Sequence, residues 1–128
     1  MIVGHGGYPE GLRSAAELIM GPQDSLETVS FRPGESPEVL AQRYQEVFES
    51  LALCDEVLVL ADLAGGSPFT VVAPYVAGNK SRRLVAGVNV GMLLDVLTRR
   101  EEWPVSELAE AALQAGTTSV TTLEQFLS

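Results

Sequence analysis

The chain has 128 residues, enough for one domain with a core of its own. Seventeen acidic side chains against eight basic ones leave a formal net charge of −9. That balance argues against nucleic acid and anionic membranes, both of which ask for Lys and Arg surfaces, and admits a basic protein partner.

The single cysteine, Cys54, lies in an apolar setting, LALCDEV, and reads as buried filler. Alone, it can form no intrachain disulfide and no cysteine metal site, so a reducing, cytoplasmic setting is expected. Met1 runs directly into apolar residues with no basic region before them, so no signal peptide is expected. The longest apolar run, 84–94, is interrupted by Asn89 and is too short to span a bilayer. There is no internal repeat and no linker, so residues 1–128 read as one domain.

In chain order, residues 1–4 read as a short buried strand leading to the only histidine, His5, which glycines surround. Pro9 suits the first turn of a helix over 9–20, with Leu12, Ala16, Leu18 and Ile19 on its apolar face and Gly21-Pro22 as its stop. Residues 26–31 alternate as a second strand, and Arg32-Pro33-Gly34 is a turn. Ser36 caps and Pro37 opens a second helix, whose stripe is Val39, Leu40, Tyr44, Val47, Phe48 and Leu51. Residues 56–61, EVLVLA, form a continuous apolar run, as in a strand buried on both faces of a parallel sheet.

That run ends in Asp62 and the sequence GGSP, with Ser67 read as the cap of a third helix reaching about Ala77. Residues 84–88 are a fourth strand, followed by a helix with Leu93, Leu94, Val96 and Leu97 inward and Arg99 and Arg100 at its carboxyl end. Pro104 opens a last helix, with Leu108, Ala109, Ala112 and Leu113 inward and Gly116 as its stop. Residues 117–126, rich in Thr and Val, read as a final strand or extended tail. Alternating strands and helices with short connections imply an α/β fold: a doubly wound, mostly parallel sheet with helices on both faces.

Two loops carry the chemistry, each after a buried strand. With strand order 2-1-3-4, strands one and three are neighbours at the switch point, and both loops line one crevice. His5 and Asp62 then face each other. A carboxylate there accepts a hydrogen bond from one ring nitrogen and leaves the other nucleophilic. Gly65 and Gly66 allow close approach of backbone N–H groups, and Ser67-Pro68 sets a helix N-terminus, which suits an anion. A nucleophilic imidazole beside an anion cradle fits a phosphoryl group.

Other sites fail on residue type. One His and one Cys leave a zinc site dependent on carboxylates, and none cluster suitably. Neither GxGxxG nor GxxxxGK[ST] occurs. A Ser67–His5–Asp62 triad lacks a GxSxG elbow, and Ser67 is expected to be occupied as a cap.

At GHGGYPEGL (4–12), FRPGES (31–36), DLAGGSPF (62–69) and AGVNVGMLLDVL (86–97), the sequence resembles the mannose-type enzyme IIA of the bacterial phosphoenolpyruvate-dependent sugar phosphotransferase system. The resemblance implies that His5 is the phosphorylated histidine, taking its phosphoryl group from phospho-HPr and passing it to a IIB component for sugar uptake. It implies that Asp62 orients the imidazole and that Ser67 hydrogen-bonds near the phosphoryl group. It also implies a homodimer that exchanges a C-terminal strand, with no cofactor and no membrane insertion. The family often has Thr or Ser where Gly4 stands, an aromatic residue at Ala64 and Pro at Gly91. The phosphotransfer subunit of dihydroxyacetone kinase, with a similar fold and N-terminal histidine, and a non-catalytic regulatory module are the alternative readings.

Overall fold

The computed structural model describes residues 1–128. Its elements are β1 (Ile2–His5), α1 (Tyr8–Met20), β2 (Thr28–Phe31), α2 (Pro37–Ser50), β3 (Val57–Ala61), α3 (Ser67–Val76), β4 (Arg82–Ala86), α4 (Val90–Arg99), α5 (Val105–Thr118) and α6 (Leu123–Leu127). The four strands are all parallel, in the order β2-β1-β3-β4.

Strand alternation explains why both faces of the sheet are covered. Ile2, Leu58, Leu60 and Val85 face α1, α4 and α5, in a core with Leu12, Ala16, Leu93, Leu97 and Leu108. Val3, Val29, Val59 and Ala61 point the other way, against Leu40, Tyr44 and Phe48 of α2 and Val72 and Val76 of α3. A strand with helices on both sides has no polar face, which is why β3 reads VLVLA without alternation.

The helix starts obey local chemistry. Ser36 accepts a hydrogen bond from the Val39 amide, and Asn89 accepts one from Met92, each satisfying a first-turn donor of its helix. Gly21, at φ +86°, ends α1 in a conformation costly for any residue with a Cβ.

The structure corrects several expectations. Residues 117–126 form no strand: α5 runs on through Thr118, and Thr122 and Gln125 make a reciprocal capping box that winds 123–127 into the short α6. The sheet of the single chain therefore has four strands. Gly116 does not stop α5, because its bareness serves packing: a Cβ there would stand 2.6 Å from Met92 Cε. Leu18, Ile19 and Leu113 are exposed rather than inward. The cap of α3 is Gly66, and Ser67 is its first helical residue. Cys54 is only half-buried.

Candidate active site

The two loops leave the carboxyl ends of neighbouring strands. After His5, Gly6 (φ +56°) turns the chain, its amide donating to the Phe31 carbonyl at 2.9 Å, and α1 begins at Tyr8. After Ala61, the Asp62 amide donates to Val3 O at 3.1 Å, which carries the β1–β3 register one step further and sets Asp62 beside Gly4. Gly65 (φ +83°) then reverses the chain into α3.

Gly4 gives the Asp62 side chain room. A Cβ at that position would stand 3.0 Å from Asp62 Cγ and 3.1 Å from Oδ2, so the carboxylate lies over the bare backbone. There Oδ2 accepts two hydrogen bonds from His5, one from the backbone N–H at 2.9 Å and one from ring Nδ1 at 2.7 Å. A carboxylate has no hydrogen to give, so Nδ1 carries the proton, and in the neutral ring Nε2 keeps its lone pair. The Asp62 side chain is 14% exposed and that of His5 46%, so the acceptor is shielded and the ring is open to a reactant.

The ring rests on the second loop. A Cβ on Gly66 would come within 2.9 Å of His5 Cε1 and 3.4 Å of Nε2. The free nitrogen therefore lies against the start of α3. No side chain caps that helix, and Pro68 in its first turn has no N–H, so the remaining first-turn amides are available to an anion. Ser67 is half-buried at the same end, and its hydroxyl does not serve as the cap. Phe31 meets the imidazole edge-on at a centroid distance of 6.3 Å, flanking it on the β2 side.

The start of α3 is pinned from behind. The buried Tyr44 hydroxyl donates to Pro68 O at 2.8 Å, and burial, followed by the charge of Asp62, pushes its pKa well above the usual tyrosine value. On the opposite flank, Tyr8 donates to Val88 O, joining the His5 loop to the turn before α4.

Residues 1–113 match the protein family described as "PTS system fructose IIA component". The chain belongs to this family. The IIA component is 33% identical over 108 residues to the "PTS system fructose-specific EIIA component" of Bacillus subtilis, covering 84% of this chain and 74% of that protein. It is 34% identical over 121 residues to the "PTS system mannose-specific EIIAB component" of Escherichia coli, covering 94% of this chain but only 38% of that longer protein. A crystal structure of phosphotransferase system component EIIA from Streptococcus agalactiae superposes with a TM-score of 0.87 at 27% identity, covering 97% of this chain and 95% of that one. The four-stranded parallel order of this IIA component is the architecture of its solved relatives.

All five residues singled out in the sequence fall at one end of the sheet: His5 on the first loop, and Asp62, Gly65, Gly66 and Ser67 on the second. Two further residues shape this end of the sheet without a strong signal in the sequence. Gly4 admits the carboxylate, and its signal was a glycine inside a strand pattern. Tyr44 was assigned only to the core stripe, and nothing in the sequence marks its hydroxyl as bonded to the α3 start.

Proposed function

We propose that this IIA component is a phosphoryl carrier and that His5 is its nucleophile. Nε2 attacks the phosphorus of a phosphohistidine on HPr. The donor's P–N bond breaks, its electron pair returns to the donor ring, and a new P–N bond forms to Nε2. In the second half-reaction the group leaves His5 for a IIB component. Such transfers ask for little beyond positioning and charge stabilisation.

Each residue has one task in this scheme. Asp62 holds the Nδ1–H tautomer and stabilises the positive ring that forms as Nε2 is phosphorylated. The free amides of the α3 start, with the Ser67 hydroxyl, hydrogen-bond the phosphoryl oxygens. Gly65 and Gly66 let that backbone come within reach. The observation that carries the reading is the doubly bonded Asp62 Oδ2, which commits Nδ1 and turns Nε2 to the helix start.

Incubation with phosphoenolpyruvate, enzyme I and HPr tests the proposal. A mass gain of one phosphoryl group, discharged on adding a IIB protein, is the expected result; no gain contradicts it. Gain without discharge to IIB, but with discharge to dihydroxyacetone kinase subunits, supports the related carrier instead.

The IIA component is further proposed to act as a homodimer joined through its C-terminal tail. Val120, Leu123, Phe126 and Leu127 are each more than 60% exposed, an unusual concentration of bare apolar surface for nine closing residues.

A further inference from the structure

The loop that carries His5 is short and soft. Only Gly6 and Gly7 stand between His5 and Tyr8, the first residue of α1, and Gly7 gives that helix no side-chain cap. Glycines leave a backbone many conformations, so the loop has to be held from outside. It is held on two sides. Toward β2, the Gly6 amide donates to Phe31 O at 2.9 Å. Toward β4, the Tyr8 hydroxyl donates to Val88 O at 2.5 Å, across 80 residues of chain. Val88 is 2% exposed, and its own amide donates to Ala61 O at 3.0 Å. Ala61 is the residue before Asp62. One buried residue therefore holds the Asp62 loop through its N–H and the His5 loop through its C=O. Its position is fixed in turn by Asn89, next in the chain, which accepts from the Met92 amide and donates to Gly116 O at 3.0 Å.

We infer that Tyr8 is a positioning residue for phosphoryl transfer at His5: acting through Val88, its hydroxyl keeps the His5 loop aligned with the Asp62 loop. Tyr8 is 43% exposed, so water could have served the hydroxyl, yet it reaches the carbonyl of a buried residue instead. Without that bond, every tie on the start of α1 lies on the β2 side. The Glu10–Arg32 pair is no substitute, because it too runs to the β2 side and both its partners are exposed. Attack by Nε2 is sensitive to such loosening, since a reacting group misplaced by about 1 Å can cost roughly 100-fold in rate. The tie itself stands on geometry; its part in transfer rests on the phosphoryl-carrier reading.

Tyr8→Phe tests it, because it keeps the ring and removes only the donor. Two readouts separate positioning from general stability and from docking. The first is hydrogen exchange of the Gly6 amide, which reports how often the loop leaves β2. Tyr8→Phe speeds that exchange several-fold while amides in the middle of β3 keep their wild-type rates; a general loss of stability would speed both. The second is transfer from phospho-HPr. The maximal rate falls by roughly tenfold and KM stays within about twofold, the pattern of a misplaced reacting group rather than a lost contact with the donor. Para-aminophenylalanine at position 8, which restores a donor, brings both readouts back toward wild type. Unchanged Gly6 exchange, an unchanged maximal rate, or a rise in KM alone overturns the proposal. The exchange measurement uses no phosphoryl donor, so it decides the tie even if wild-type His5 is never labelled, a result that would end the carrier reading instead.

Discussion

His5 Nδ1 and Asp62 Oδ2 lie 2.7 Å apart although 57 residues separate them in the chain. Nothing local brings them together. β1 and β3 are neighbours in the sheet, the register runs on to the Asp62 amide, and Gly4 carries no side chain to keep the carboxylate away.

Asp62→Asn tests that contact with little change in shape. An amide can turn its NH2 toward Nδ1 and favour the opposite tautomer, putting the proton on Nε2. Transfer to His5 is expected to fall by on the order of 100-fold or more, the range for a lost acid–base partner. Melting should change little, which thermal scans on the same samples will verify.

Gly66→Ala addresses the other side of the ring. The new methyl would stand 2.9 Å from His5 Cε1, closer than carbon atoms tolerate, so the ring must move. Misplacement of a reacting group by about 1 Å can cost roughly 100-fold in rate. Labelling kinetics should show that loss, and circular dichroism should show an intact fold.

Tyr44→Phe removes the buried hydrogen bond to Pro68 O while keeping the ring that fills the α2–α3 core. The carbonyl left behind is buried, so a loss of about 1–2 kcal/mol is expected. In a domain of this size that lowers the melting temperature by roughly 3–6 °C. An unchanged melting temperature would show that the tie to α3 adds nothing.

Glu35 gives a pH prediction. Its carboxylate is bonded by Arg43 and by the Arg32 amide, which together brace the turn beside Phe31. The Arg43 bond is the chief cause that holds its pKa below the usual glutamate value. A carboxylate depressed on folding stabilises the native state above its unfolded pKa, and that contribution is lost as pH falls through the folded value. Glu35→Gln should therefore melt below wild type at neutral pH, and the gap should narrow as pH falls below the usual glutamate range. Parallel scans at pH 7 and pH 3 measure it.

Removing residues 120–128 tests the tail. Light scattering should show dimers of the full chain and monomers of the shortened one, with labelling of His5 retained. Monomers in both cases would leave the exposed tail without its proposed role.

Much of this arrangement was legible in the sequence because it depends on strong local signals. Pro37 after Ser36 and the unbroken VLVLA run each have one economical reading, and with the alternation of strands and helices they imply the parallel sheet. His5 and the GGSP loop stood out because glycines, a lone imidazole and a helix start coincide. What escaped depends on tertiary contacts. Ser67 looked like a cap because Ser-Pro usually is one, yet Gly66 takes that position and leaves the hydroxyl free for other work. Gly116 looked like a stop, but it is a packing glycine under Met92. The Thr- and Val-rich tail favoured a strand on propensity, and a capping box four residues long overrode it.

The central claim concerns which nitrogen carries the phosphoryl group. Phosphorus-31 and nitrogen-15 NMR of the protein labelled from phosphoenolpyruvate, enzyme I and HPr, with His5→Gln as control, reads it directly. The account predicts one phosphoryl group bonded to His5 Nε2 and none on the variant. A phosphorus–nitrogen coupling to Nδ1, or equal labelling of His5→Gln, would contradict it.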